Sequence, residues 1–142
     1  MSRTMLVVDD NKSVRESLRF LLERRGYAVI TASNGPEALA LVAEHAYDGA
    51  MIDVQMPGMN GIEVCRRLRE DAEMSGRRFV AWMMTGGRSP EIEKQSLEAG
   101  ALALLGKPFD YADLYRRFEE QWPPAGAGGT ASTSEGSAPV AK

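Results

Sequence analysis

Five short apolar runs punctuate the chain, at residues 5–8, 27–32, 50–52, 79–84 and 102–105. Each is too short for a helix and is bounded by turn or cap residues, so each reads as a buried strand. Between them the apolar positions recur at helical spacing. Val14, Leu18, Leu21 and Leu22 form one stripe, and Ala38, Leu39 and Val42 form another. Ser13-Val14-Arg15-Glu16 has the letters of a capping box for the first helix, and Gly26 is suited to end it. Pro36 opens the second helix at a first helical position. The third runs from about Ile62 to Glu70. Ser89 and Pro90 start a fourth that Gly100 terminates. Asp110 caps a fifth, whose Leu114, Phe118 and Trp122 recur every four residues before Pro123-Pro124.

Five strands alternating with five helices predict an α/β fold, a flavodoxin-like (βα)5 sandwich with a parallel sheet in the order 2-1-3-4-5. From residue 123 the composition shifts to Gly, Ala, Ser, Thr and Pro. That predicts one domain over 1–122 and a disordered tail over 123–142. Residues 126–131 match a dinucleotide-binding glycine pattern, but no strand precedes them and no helix pattern follows, so the match is rejected.

In a sheet of this kind ligands bind outside the carboxyl ends of the strands. Asp9 and Asp10 follow the first run, Asp53 the third and Thr85 the fourth; Lys107-Pro108 follows the fifth. The order 2-1-3-4-5 makes strands one and three neighbours, so the three carboxylates converge. Alone, each has a plain reading as a turn starter, cap or loop residue. Together they suit a hydrated Mg2+ and a phosphoryl group. The cation takes oxygen ligands and keeps waters. Asp53 is a candidate nucleophile that would form an acyl phosphate. Lys107 and Thr85 are candidates to meet the charge spread over the phosphoryl oxygens. Three crowded carboxylates without a cation should raise at least one pKa.

The remaining composition mainly excludes. A net charge of -3 provides no global basic field for nucleic acid or an anionic membrane, and the arginine pairs have acidic residues close by. The lone Cys65 permits no intrachain disulfide and reads as a small buried hydrophobe beside Ile62 and Leu68. No secretory signal or membrane span is legible, so cytoplasmic residence is expected. His45, the one histidine, reads as a surface residue near the end of helix two.

The segments Leu6-Val7-Val8-Asp9-Asp10-Asn11, Met51 to Gly61, Met84-Thr85-Gly86 and Gly106-Lys107-Pro108-Phe109 resemble the receiver domain of two-component response regulators, from Thr4 to about Trp122. The resemblance implies a phosphorylation-controlled switch rather than an enzyme. Its phosphoryl group would come from a sensor histidine kinase or histidine phosphotransfer protein. It further implies Asp53 as phosphoacceptor, Asp10 as direct Mg2+ ligand, Asp9 acting through water, the Gln55 carbonyl as a ligand, and Thr85 and Lys107 on the phosphoryl group. Gly87 and Gln55 would flank the path of a dephosphorylating water. A downstream protein would read helix four, strand five and helix five, with the chain monomeric or weakly dimeric on phosphorylation. One position departs. Such receivers often carry an aromatic ring three residues before the lysine, where this chain has Leu104. Two competing readings are a Mg2+-dependent phosphohydrolase with an aspartate nucleophile and a receiver fold that only docks partners. The first usually pairs aspartates two apart rather than adjacent.

Overall fold

The computed structural model describes residues 3–123. The tail expected over 123–142 lies, from residue 124 on, outside the described residues. The elements are β1 (Thr4–Val8), α1 (Lys12–Arg24), β2 (Ala28–Ala32), α2 (Gly35–Glu44), β3 (Gly49–Asp53), α3 (Gly61–Met74), β4 (Ala81–Thr85), α4 (Pro90–Glu98), β5 (Leu104–Gly106) and α5 (Tyr111–Gln121). The strands form one parallel sheet in the order β2-β1-β3-β4-β5, as the alternation predicted. The chain forms two compact units, residues 1–107 and the segment from Pro108 that carries α5.

In the first unit, β3 and β4 are buried along their whole length and β1 along all but its first residue. Strands covered on both faces become continuous apolar runs, which is why the alternating pattern of a half-exposed strand is missing from the sequence. Leu6, Val8, Ala50, Ile52, Ala81 and Met83 belong to one core cluster with Ala38 of α2 and Val64, Cys65 and Leu68 of α3. Met5, Val7, Met51, Trp82 and Met84 point to the opposite face by the two-residue alternation of a strand. Cys65 is fully buried, and burial pushes its thiol up to about 12, so it behaves as the small hydrophobe expected.

Several boundaries differ from expectation, β4 for example spanning Ala81–Thr85 rather than 79–84, and three have a local reason. The cap of α1 is Asn11, whose side-chain oxygen accepts the Val14 N–H at 3.1 Å; Ser13 lies inside the helix. The turn is set earlier, where the Asp9 carboxylate accepts the Asn11 N–H at 2.9 Å. The α3 helix runs a turn beyond Glu70, because the stripe Val64, Leu68 continues into Ala72, which is buried but too small to stand out as an apolar signal. The strand at 102–105 begins two residues late, with Leu102 at 46% exposed. Its N–H still donates to Ala81 O at 2.8 Å, so the ladder starts before the regular strand does.

Helices α1, α3 and α4 end alike. Gly26, Gly76 and Gly100 adopt positive φ, and each is followed by an N–H that returns to the helix (Tyr27 to Leu22, Arg77 to Ala72, Ala101 to Ser96). These are Schellman ends, which satisfy otherwise orphaned carbonyls. The Asp110 side chain accepts the Asp113 N–H at the start of α5, and Leu114 and Phe118 are buried along one stripe.

The closest backbone approach places the third strand against the third helix. Gly61, the first residue of α3, donates its N–H to Val54 O at 2.9 Å. A Cβ on Gly61 would lie 1.8 Å from the carbonyl oxygen of Asp53. Gly61→Ala should therefore destabilise by at least about 2 kcal/mol, the scale of backbone overpacking. Gly86→Ala, where a Cβ meets nothing within 4 Å, should stay within about 0.5 kcal/mol of wild type. Urea unfolding midpoints check the pair, and equal midpoints would show that the approach is not constraining.

Candidate functional site

Parallel pairing sets the site. Val8 lies beside Ile52, and Asp53 beside Met84, so the ends of β1, β3 and β4 open on one edge. Asp9 is fully buried, Asp53 is 5% exposed, and Asp10 faces solvent. Carboxylate oxygens of all three lie within 4.8 Å of one another. The Lys107 ammonium donates to Asp9 Oδ2 at 2.6 Å and lies 3.4 Å from Asp53 Oδ1. Lys107 is placed by its own backbone, whose N–H donates to Thr85 O at 2.8 Å.

The electrostatics follow from burial. Asp53 is pushed from its ordinary 3.8 up to about 6, first by desolvation and then by the Asp9 charge, with Lys107 pulling the other way. For Lys107, burial alone would lower the pKa; the hydrogen bond and charge of Asp9, joined by Asp53, outweigh it and leave the ammonium held above its ordinary range. Three carboxylates against one ammonium leave two negative charges uncompensated when all are ionised. That donor set, all oxygen and doubly negative, fits a hard divalent cation.

The structure thus brings together Asp9, Asp10, Asp53 and Lys107. Thr85 is buried at the end of the next strand, but its hydroxyl engages the backbone of Gly87, donating to the carbonyl at 3.0 Å and accepting the N–H at 3.1 Å. Gln55 stands exposed on the loop after β3. With Val54, Met56, Pro57, Asn60, Ile62, Ile92 and Gln95 it lines an open groove of about 520 Å³. His45 is exposed at the end of α2.

Two residues of the site escaped the reading of the sequence. Arg15 Nη1 donates to the Asp9 carbonyl at 2.8 Å and holds the turn that aims the carboxylate. Its signal was its place four residues beyond Asn11, since helical side chains lean back toward the N-terminus. Gly61 was legible only as a turn residue, because close approach to a carbonyl leaves no mark except the missing side chain.

Known proteins carry the same arrangement of elements. Residues 5–119 match the family model described as the response regulator receiver domain. The response regulator MprA of Mycobacterium sp. (strain KMS) is 42% identical over 113 residues, 80% of this chain and 47% of that protein. The chain spans about half the length of the curated relatives it matches. Among solved structures, the chemotaxis protein CheY4 of Vibrio cholerae is similar with a TM-score of 0.75 and 32% identity, over 84% of this chain and 98% of that one. CheY in the CheX–CheY–BeF3–Mg2+ complex of Borrelia burgdorferi gives 0.76 and 25%, over 86% and 90%. No described helix is long and apolar enough to cross a membrane.

The raised Asp53 pKa has a signed consequence for stability. The folded state holds that proton more tightly than the unfolded chain, so the penalty is absent below about pH 4. It grows as pH rises through about 6 and is complete above that. In metal-free buffer Asp53→Asn should stabilise the fold at pH 8 by about 1–2 kcal/mol and leave it unchanged at pH 3.5. Denaturant unfolding at the two pH values tests this, and a substitution that destabilises at pH 8 would show that Lys107 fully compensates the charge.

Proposed function

Because the chain belongs to the response regulator receiver family, we propose that Asp53 is its phosphoacceptor and takes a phosphoryl group from a histidine of a sensor kinase or phosphotransfer protein. An Asp53 oxygen attacks phosphorus as the bond to the donor imidazole breaks, leaving an acyl phosphate on the chain and the imidazole on the donor. The observation that carries this reading is the Lys107 ammonium held between Asp9 and Asp53 beside a third, solvent-facing carboxylate. A strand-end lysine at that point is placed to meet negative charge arriving at Asp53.

Mg2+, when bound, would supply positive charge that neutralises phosphoryl oxygens. Asp10, exposed and adjacent, is the proposed direct ligand, with Asp53 and the Gln55 carbonyl beside it. Asp9, fully buried and already bonded to Lys107, acts through water and steers the ammonium. Thr85 contacts the phosphoryl group after its hydroxyl turns away from Gly87. The Borrelia relative, captured with BeF3 and Mg2+, supports the same chemistry for this chain. The proposed output is a change in what α4, β5 and α5 present to a downstream protein, with the chain monomeric or weakly dimeric when phosphorylated. Any self-catalysed phosphotransfer or dephosphorylation uses the same residues.

Incubation with acetyl phosphate and Mg2+ should add one phosphoryl group by intact mass. The addition should vanish in Asp53→Asn and slow at least tenfold in Lys107→Ala, the cost of removing a charge-stabilising donor. No added mass with excess donor would leave the chain a docking module, and steady release of phosphate from a simple phosphate ester would make it a hydrolase. Separately, Mg2+ should raise the melting temperature in proportion to the logarithm of its concentration above Kd. Asp10→Asn should abolish that rise, and an undiminished rise would move the metal elsewhere.

A further inference from the structure

The Thr85 hydroxyl, the backbone of Gly87 and the Arg88 guanidinium follow one another along the loop after β4. Arg88 leaves that loop sideways. Its Nη1 donates to the Leu104 carbonyl on β5 at 3.1 Å, and its Nη2 donates to Glu93 Oε2 on α4 at 3.3 Å. The aliphatic part of its side chain runs past Gly106, where a Cβ would meet Arg88 Cδ at 3.8 Å. Gly106 pairs with Thr85 in the ladder, and Leu104 pairs with Met83. One side chain therefore ties the β4–α4 loop to the edge strand and to the helix after it.

The residue it reaches is the one that departs from the family pattern. Leu104 is buried and carries no ring that could swing when Thr85 moves. The loop, in contrast, has open space around it next to the hydroxyl. Gly86 and Gly87 are exposed, and a Cβ on either would meet nothing within 4 Å. When the Thr85 hydroxyl leaves Gly87 to face a new acceptor, both hydrogen bonds that hold Gly87 are lost. The next residue, Arg88, is the one whose guanidinium is bonded at two points beyond the loop.

We infer that Arg88 is the relay of this receiver: it transmits the position of the Thr85 hydroxyl to β5 and α4 through its bonds to the Leu104 carbonyl and Glu93, in the role an aromatic side chain on β5 would otherwise fill. Arg88 does not touch the acceptor carboxylate and acts as a positioning residue. Phosphorylation as the trigger rests on the function proposed above; the mechanical link from Thr85 to β5 does not.

Amide hydrogen exchange at residues 93–96 and 104–106 tests the link, first without any phosphodonor. Arg88→Ala should speed exchange roughly fivefold, the size of one lost hydrogen bond. Thr85→Ala should act in the same direction. The double substitution should go no further than Arg88→Ala alone, because the two act in series. An unaffected β5 in Thr85→Ala, or effects that multiply in the double variant, would overturn the relay. With acetyl phosphate and Mg2+, wild type should change its exchange at these amides. Arg88→Ala should gain one phosphoryl group by intact mass yet show no further change; a wild-type response in that variant would also overturn the proposal. If wild type itself takes up no phosphoryl group, the phosphoacceptor reading fails, and the comparison of unphosphorylated variants still decides the relay.

Discussion

The Lys107 ammonium lies 2.6 Å from Asp9 and 3.4 Å from Asp53, and it is delivered by a strand whose backbone also bonds Thr85. Two buried carboxylates this close would repel each other strongly in a site largely closed to water. One cation between them makes the cluster tolerable without making it neutral. Burial first, and the Asp9 charge after it, keep the Asp53 carboxyl raised to about 6 despite the ammonium. Every other element of the site is arranged around this partial compensation. Asn11 N–H and Arg15 fix the Asp9 side chain and backbone, and the sheet register fixes the distance to Asp53.

Partial compensation also gives the site its direction. Lys107 is half-buried and bonded to the fully buried Asp9, whereas Asp10 is exposed. A cation arriving from solvent would meet the exposed carboxylate first, and negative charge arriving near Asp53 would meet the ammonium already in place. The deep part of the site is prearranged, and the outer part is left to the ligand. Under the proposed function, the protein would contribute orientation and electrostatics rather than a dedicated metal cage, in keeping with the reluctance of Mg2+ to shed its waters.

Much of this was legible in the chain because buried parallel strands write themselves as apolar runs. The polar residue that ends each run is then at a known edge of the sheet. The order of strands and the grouping of Asp9, Asp10, Asp53 and Lys107 followed from that logic alone. What stayed hidden depended on three-dimensional detail with no periodic signature. The cap at Asn11 competed with a better-looking motif two residues later. Ala72 extended α3 without an obvious apolar side chain. The orientation of the Thr85 hydroxyl toward Gly87, and the reach of Arg88 across to Leu104, depend on rotamers that no pattern of letters encodes.

Gly61 leads to a different kind of conclusion. With its Cα pressed against the carbonyl of Asp53, the first turn of α3 backs the end of β3 like an anvil. Beyond Thr85, by contrast, Gly86 and Gly87 border open space. The two flanks of Asp53 are therefore unequal, one braced by backbone and the other bordered by open space, and that asymmetry is built into the fold itself.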